Sequence, residues 1–115
     1  MIIKEVQIMN SFLEAEERYI HKDYQGALGL FLKSLELEKS NDCLNYIGCC
    51  YLELDCFMPA IQVFKQMIKE NPGWERPVFN LGRVYLKMGR LKTAHACFNK
   101  ALWLNHDSAD VYLYF

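Results

Sequence analysis

The chain repeats itself. The stretch LNYIGCCYLELDCFMPAIQVFKQMIKENP from Leu44 and the stretch VFNLGRVYLKMGRLKTAHACFNKALWLNH from Val78 fall into register at an offset of 34 residues, so that Gly48 meets Gly82, Tyr51 meets Tyr85, Ala60 meets Ala94 and Phe64 meets Phe98. A period of that length confines a chain to architectures that stack one supersecondary unit on the next. Within each copy, Ile47, Gly48 and Tyr51, and likewise Leu81, Gly82 and Tyr85, have helical spacing, and Ala60, Phe64 and Met67 repeat that spacing further on. Each copy therefore reads as two amphipathic helices. Met88-Gly89-Arg90 supplies a glycine able to take positive φ at a helix end, and Asn71-Pro72-Gly73 closes the earlier copy. Pro59 falls in the first turn after Asp55 and Cys56, where proline removes no intrahelical hydrogen bond.

These residues resemble the tetratricopeptide repeat family, whose unit carries an apolar and then a small residue in its first helix, Tyr three positions on, then Ala, an aromatic residue, Ala and Pro. The copy over 41–74 supplies Leu44, Ile47, Gly48, Tyr51, Ala60, Phe64 and Pro72; the copy over 75–108 supplies Val78, Leu81, Gly82, Tyr85, Ala94, Phe98 and Ala101, with His106 in place of proline. The resemblance implies an all-α fold, a right-handed superhelical solenoid of antiparallel helix pairs in one domain over 1–115. A first repeat over about 8–40 is carried by Tyr24, Ala27, Phe31 and Ser34 of its second helix. Its first helix fits two registers. With the usual loop length Ala15 takes the small position and Arg18 the tyrosine position; with a loop one residue shorter, Phe12 and Tyr19 fall on the apolar positions. Residues 109–115 read as the start of a fourth repeat, or a cap, and Tyr112 to Phe115 offer an apolar end for self-association. The weak polarity of that end favours a fragment of a longer protein.

Composition narrows the function. No apolar run approaches the ~18 residues of a membrane-spanning helix, and MIIKEVQIMN has no secretory h-region or cleavage site. Five cysteines, an odd number with Cys49 and Cys50 adjacent, suit reduced thiols and a cytoplasmic or nuclear compartment. Core packing is the expected role of Cys43, Cys49, Cys50 and Cys56, because pairs seven apart on a helix are separated by ~10 Å of rise, too far for one tetrahedral zinc ion. The net charge of −1 gives no broad attraction to nucleic acid. Phosphate-binding and zinc-protease motifs are absent, and His21, His95 and His106 are scattered without triad partners. No enzyme, cofactor or metal site is expected.

The family resemblance implies a concave groove, lined by the first helices, in which a partner peptide or helix lies. By motif position it is lined by Asp42, Asn45, Tyr46, Cys49, Leu52 and Glu53, then Arg76, Phe79, Asn80, Arg83, Leu86 and Lys87, with Phe12, Glu16, Tyr19 and Ile20 from the first repeat. Arg76, Asn80, Arg83 and Lys87 form one polar stripe by their spacing. Residues 75–108 hold six basic and two acidic side chains, a balance of +4, whereas 1–40 and 41–74 each come to −2. The expected partner is thus an acidic segment with a hydrophobic anchor, meeting Arg76, Phe79, Asn80, Arg83 and Lys87 beside Asn45, Tyr46, Cys49 and Leu52, with the Cys49 thiol open to alkylation. Relatives that clamp a chaperone's C-terminal carboxylate do so with Lys, Asn and Arg at positions that here read Phe12, Glu16 (Leu13 and Glu17 in the other register), Tyr46, Arg76 and Asn80. Only Arg76 fits, and no chaperone-tail binding is expected. The alternatives are an assembly subunit and an RNA-binding repeat of the pentatricopeptide kind, against which the 34-residue offset and near-neutral charge speak.

Overall fold

Three short links of identical construction organise the chain. In the computed structural model, which describes residues 2–105, six helices follow one another: α1 (Ile2–Ile20), α2 (Tyr24–Leu37), α3 (Asn41–Glu53), α4 (Phe57–Glu70), α5 (Glu75–Lys87) and α6 (Leu91–Leu104). The α1–α2, α3–α4 and α5–α6 links each contain one residue at positive φ: Lys22 (65°), Asp55 (60°) and Gly89 (82°). Each closes the preceding helix with the same two hydrogen bonds. The amide of the positive-φ residue donates to a carbonyl three back (Tyr19, Leu52, Leu86), and the next amide donates five back (Arg18, Tyr51, Tyr85), all at 2.8–3.1 Å. This is the Schellman arrangement, which satisfies carbonyls that a helix end leaves without partners. Glycine occupies only the third link, so sequence patterning pointed to that one alone.

Because the links have equal length, the small residues Ala15, Gly48 and Gly82 stand at equivalent positions, each nine residues before the following helix begins. The first repeat therefore takes the register with Ala15 at the small position. Ala15 is fully buried, Arg18 is exposed, and Phe12 and Tyr19 are half-buried.

The chain forms two compact units, Met1–Cys56 and Phe57–Phe115. In the first, α1 packs on α2 and α2 on α3. Phe31 is its fully buried centre. The Phe12 ring meets Phe31 edge-on at 5.7 Å, and Tyr46 stacks on Phe31 at 4.6 Å with 8° between planes. The Cys43 thiol donates to the Phe31 carbonyl (3.0 Å), and Ser40 caps α3 by accepting from the Cys43 amide (3.2 Å). In the second unit α5 packs on both α4 and α6. Phe98 of α6 is 1% exposed, and a Cβ at Gly82 would stand 2.7 Å from its ring, so glycine is what lets α5 and α6 approach this closely. Asn105, after α6, donates to the Glu75 carboxylate at the start of α5 (3.3 Å).

Pro59 is the third residue of α4, within the first turn. The expectations that rest on His106 and on 109–115, including self-association through Tyr112 to Phe115, lie outside the described residues. Among the described residues, no helix is long and apolar enough to cross a membrane.

Candidate functional site

The first helices of the pairs were expected to carry the binding residues, and α5 is the most informative of them. Its polar stripe is not uniformly solvent-facing. Arg76 and Lys87 are exposed, Arg83 is half-buried and Asn80 is only 3% exposed. Asn80 acts as an internal strut, its side-chain oxygen accepting from Arg83 Nη1 at 3.3 Å. That bond turns part of the Arg83 guanidinium toward its own helix and fixes where the charge sits. Phe79 is 8% exposed and lies 5.6 Å from Phe98, so it belongs to the core of the second unit. Leu86, 37% exposed, is the apolar side chain that α5 presents beside Lys87. Helical spacing places these residues on a face; only packing shows how much of that face α4 and α6 cover.

On α3 the outcome is similar. Asn45 and Tyr46 are half-buried, while Cys49 (6%) and Leu52 (2%) are buried. The expectation that the Cys49 thiol is open to alkylation is corrected: it stands among the buried residues of α3. Cys56 is corrected in the opposite sense, since it lies in the α3–α4 link and is exposed rather than part of the core. Cys43 and Cys50 are buried, and burial pushes the Cys50 thiol up to about 12. None of the five cysteines is in a disulfide. Among the described residues no group of three His, Cys, Asp or Glu side chains is arranged to hold a metal ion.

In the first unit Tyr46 sits at the centre of an aromatic group. Beyond its stack on Phe31 it meets Phe12 at 5.9 Å and Tyr19 at 5.2 Å, both edge-on, and Tyr19 meets Tyr24 at 5.3 Å. Its hydroxyl donates to Glu16 Oε2 at 2.8 Å. Burial, and then this bond to a carboxylate, push the phenol up to about 12. The Glu16–Tyr46 pair bridges α1 and α3 across the rings, a contact that residue spacing alone could not reveal. The two units also differ in charge: the first carries five basic and ten acidic side chains, net −5, and the second eight basic and four acidic, net +4.

With this geometry in view, comparison with known proteins is informative. No family model matches the chain. The heat shock protein STI1 of Saccharomyces cerevisiae is 33% identical over 86 residues, which spans 73% of this chain but 15% of that protein. The TPR domain of Arabidopsis OM64 superposes with a TM-score of 0.84 at 19% identity, covering 96% of this chain and 93% of that one. The first TPR of Spaghetti (RPAP3), solved bound to the HSP90 peptide SRMEEVD, gives a TM-score of 0.80 at 12% identity, covering 93% and 86%. At these identities the solved structures speak for the fold.

Proposed function

We propose, from the premise that this chain is a tetratricopeptide-repeat domain, that it is a non-catalytic scaffold holding a segment of a partner protein. The observation that carries the reading is the surface of α5, where exposed Arg76 and Lys87 and half-buried Arg83 flank the exposed Leu86 in a unit of net charge +4. Such a surface complements an acidic segment with an aliphatic side chain: the charges steer and orient, and the apolar contact slows dissociation. Asn80 contributes by holding Arg83 rather than by touching the partner. Asn45 and Tyr46 are further contact candidates on the first unit.

The structure similar to this chain that holds an HSP90 peptide does not bring that ligand with it. At the family's carboxylate-clamp positions in the first unit, this chain has Phe12, Glu16 and Tyr46, and the Glu16 carboxylate already accepts the Tyr46 hydroxyl. A partner's terminal carboxylate would meet a like charge there, which is unfavourable. A chaperone C-terminal peptide is therefore expected to bind no more tightly than a scrambled control, and micromolar affinity in calorimetry would show that the clamp argument is wrong.

The direct test is capture from cell extract with the wild-type chain and with the double charge reversal Arg83→Glu, Lys87→Glu. Lys87 is exposed and Arg83 half-buried, and glutamate is a good helix former, so the variant should keep the far-ultraviolet circular dichroism of the wild type. Loss of specific partners from the folded variant supports the assignment. An unchanged set of partners, with unchanged salt sensitivity, moves the site off α5.

A further inference from the structure

A second recognition feature lies on the second unit, away from the α5 stripe. Three helices enclose an apolar groove of about 330 Å³. Val78 and Leu81 of α5, both buried, contribute to its floor; Ile68 of α4 and Thr93, Ala96 and Cys97 of α6 line it further, as do the exposed Lys65 of α4 and Lys100 of α6. The lining contains two lysines and no carboxylate. Burial pushes the Cys97 thiol up, while Lys100 and Lys65 pull it down, so both ammonium groups act on the same wall of the groove.

We propose that this groove docks an acidic segment of a partner protein, one aliphatic side chain entering between α4 and α6 while flanking carboxylates meet Lys65 and Lys100. Charge complementarity selects the occupant. The apolar floor favours removal of an aliphatic group from water, and a cation on each of two facing helices rewards acidic residues on both sides of that group. A basic or neutral segment of the same hydrophobicity meets repulsion or no electrostatic gain. The inference rests on the reading of the chain as a protein-binding scaffold, but it places the contact on residues that share nothing with Arg76, Arg83 and Lys87.

Cys97 supplies the readout. In a Cys56→Ser background, which removes the exposed thiol, alkylation of Cys97 is followed with and without a synthetic peptide of Asp and Glu around one leucine. The peptide is expected to slow Cys97 alkylation by about tenfold at saturation, and Lys65→Glu with Lys100→Glu to weaken its binding by about tenfold, in keeping with two reversed rim charges. The peptide with serine in place of leucine, and the same peptide with lysines in place of the acids, are expected to give no protection. Ala96→Phe, which plugs the groove without touching either lysine, is expected to abolish protection in a chain of unchanged helicity. Protection that survives the lysine reversals, or that the serine peptide matches, overturns the proposal. Peptide binding that is lost with Arg83→Glu, Lys87→Glu and indifferent to the groove variants also overturns it, while leaving the α5 surface intact as the binding site. Protection by a fatty acid such as decanoate but not by the peptide rejects the partner-segment occupant.

Discussion

Two glycines inside helices offer a test in which the same chemical change has opposite signs. Replacing glycine by alanine in a helix interior gains about 0.5–1 kcal/mol, because the unfolded chain loses conformational freedom. At Gly29, exposed on α2, a Cβ would meet nothing within 4 Å. Gly29→Ala is expected to stabilise by that amount. At Gly82 the added carbon would stand 2.7 Å from Phe98 Cε1, 2.9 Å from Phe98 Cδ1 and 3.1 Å from Cys97 Cβ. The Phe98 ring is 1% exposed and packed near Phe79, so it has no open side to swing into. Overpacking of about 1–3 kcal/mol then outweighs the helix gain and leaves a net loss of about 0.5–2 kcal/mol. The two variants should differ by about 2 kcal/mol, which at ordinary urea m-values separates their midpoints by about 1 M. Urea unfolding followed by circular dichroism measures this directly. A Gly82→Ala chain as stable as wild type, with an unchanged m-value, would refute the close approach of α5 and α6.

The links, the aromatic group and the thiols make further predictions. Lys22 is exposed at positive φ without being glycine, so Lys22→Gly should stabilise by about 0.5–1 kcal/mol, whereas Gly89→Ala should cost about 1 kcal/mol, both read from urea midpoints. Tyr46→Phe removes the hydroxyl bonded to Glu16 and should cost about 1 kcal/mol. The Tyr46 phenol is raised in the fold to about 12, so its contribution is complete below the unfolded value near 10 and is lost as pH climbs from there toward 12. The stability difference between wild type and Tyr46→Phe should accordingly shrink over that window, and a difference that grows instead would contradict the assignment. In native protein Cys56 should be alkylated first, with Cys43, Cys49 and Cys50 reacting only on unfolding; mass spectrometry of partially labelled chains reads the order.

The pairing of helices was legible because packing requirements recur at a fixed period: Gly82 must be small for Phe98 to fit, and Ala94 and Phe98 must follow at helical spacing. The register of α1 was not, since Ala15 at the small position, or Phe12 and Tyr19 at the apolar positions, both satisfy helical spacing until the length of the link is known. Lys22 and Asp55 at positive φ were invisible for a related reason. Only glycine advertises that conformation, and here Lys22 and Asp55 adopt it at helix ends closed by Schellman hydrogen bonds. Burial on the proposed binding face was the least legible. Periodicity assigns Cys49, Leu52, Phe79 and Asn80 to a side of a helix, but the extent of cover depends on neighbours distant in sequence. The same distance hid Glu16 beside Tyr46, and the groove lined by Lys65, Leu81 and Lys100, although the excess of basic residues after residue 75 hinted at an electropositive unit.

Amide chemical-shift mapping with an acidic, leucine-containing peptide, repeated on the Arg83→Glu, Lys87→Glu variant, tests the scaffold proposal most directly. Shifts around Arg76, Arg83, Leu86 and Lys87 of α5 that are lost in the folded variant, while those around Lys65, Cys97 and Lys100 persist, are the predicted result. Shifts absent from α5, or unchanged by the charge reversal, would contradict it.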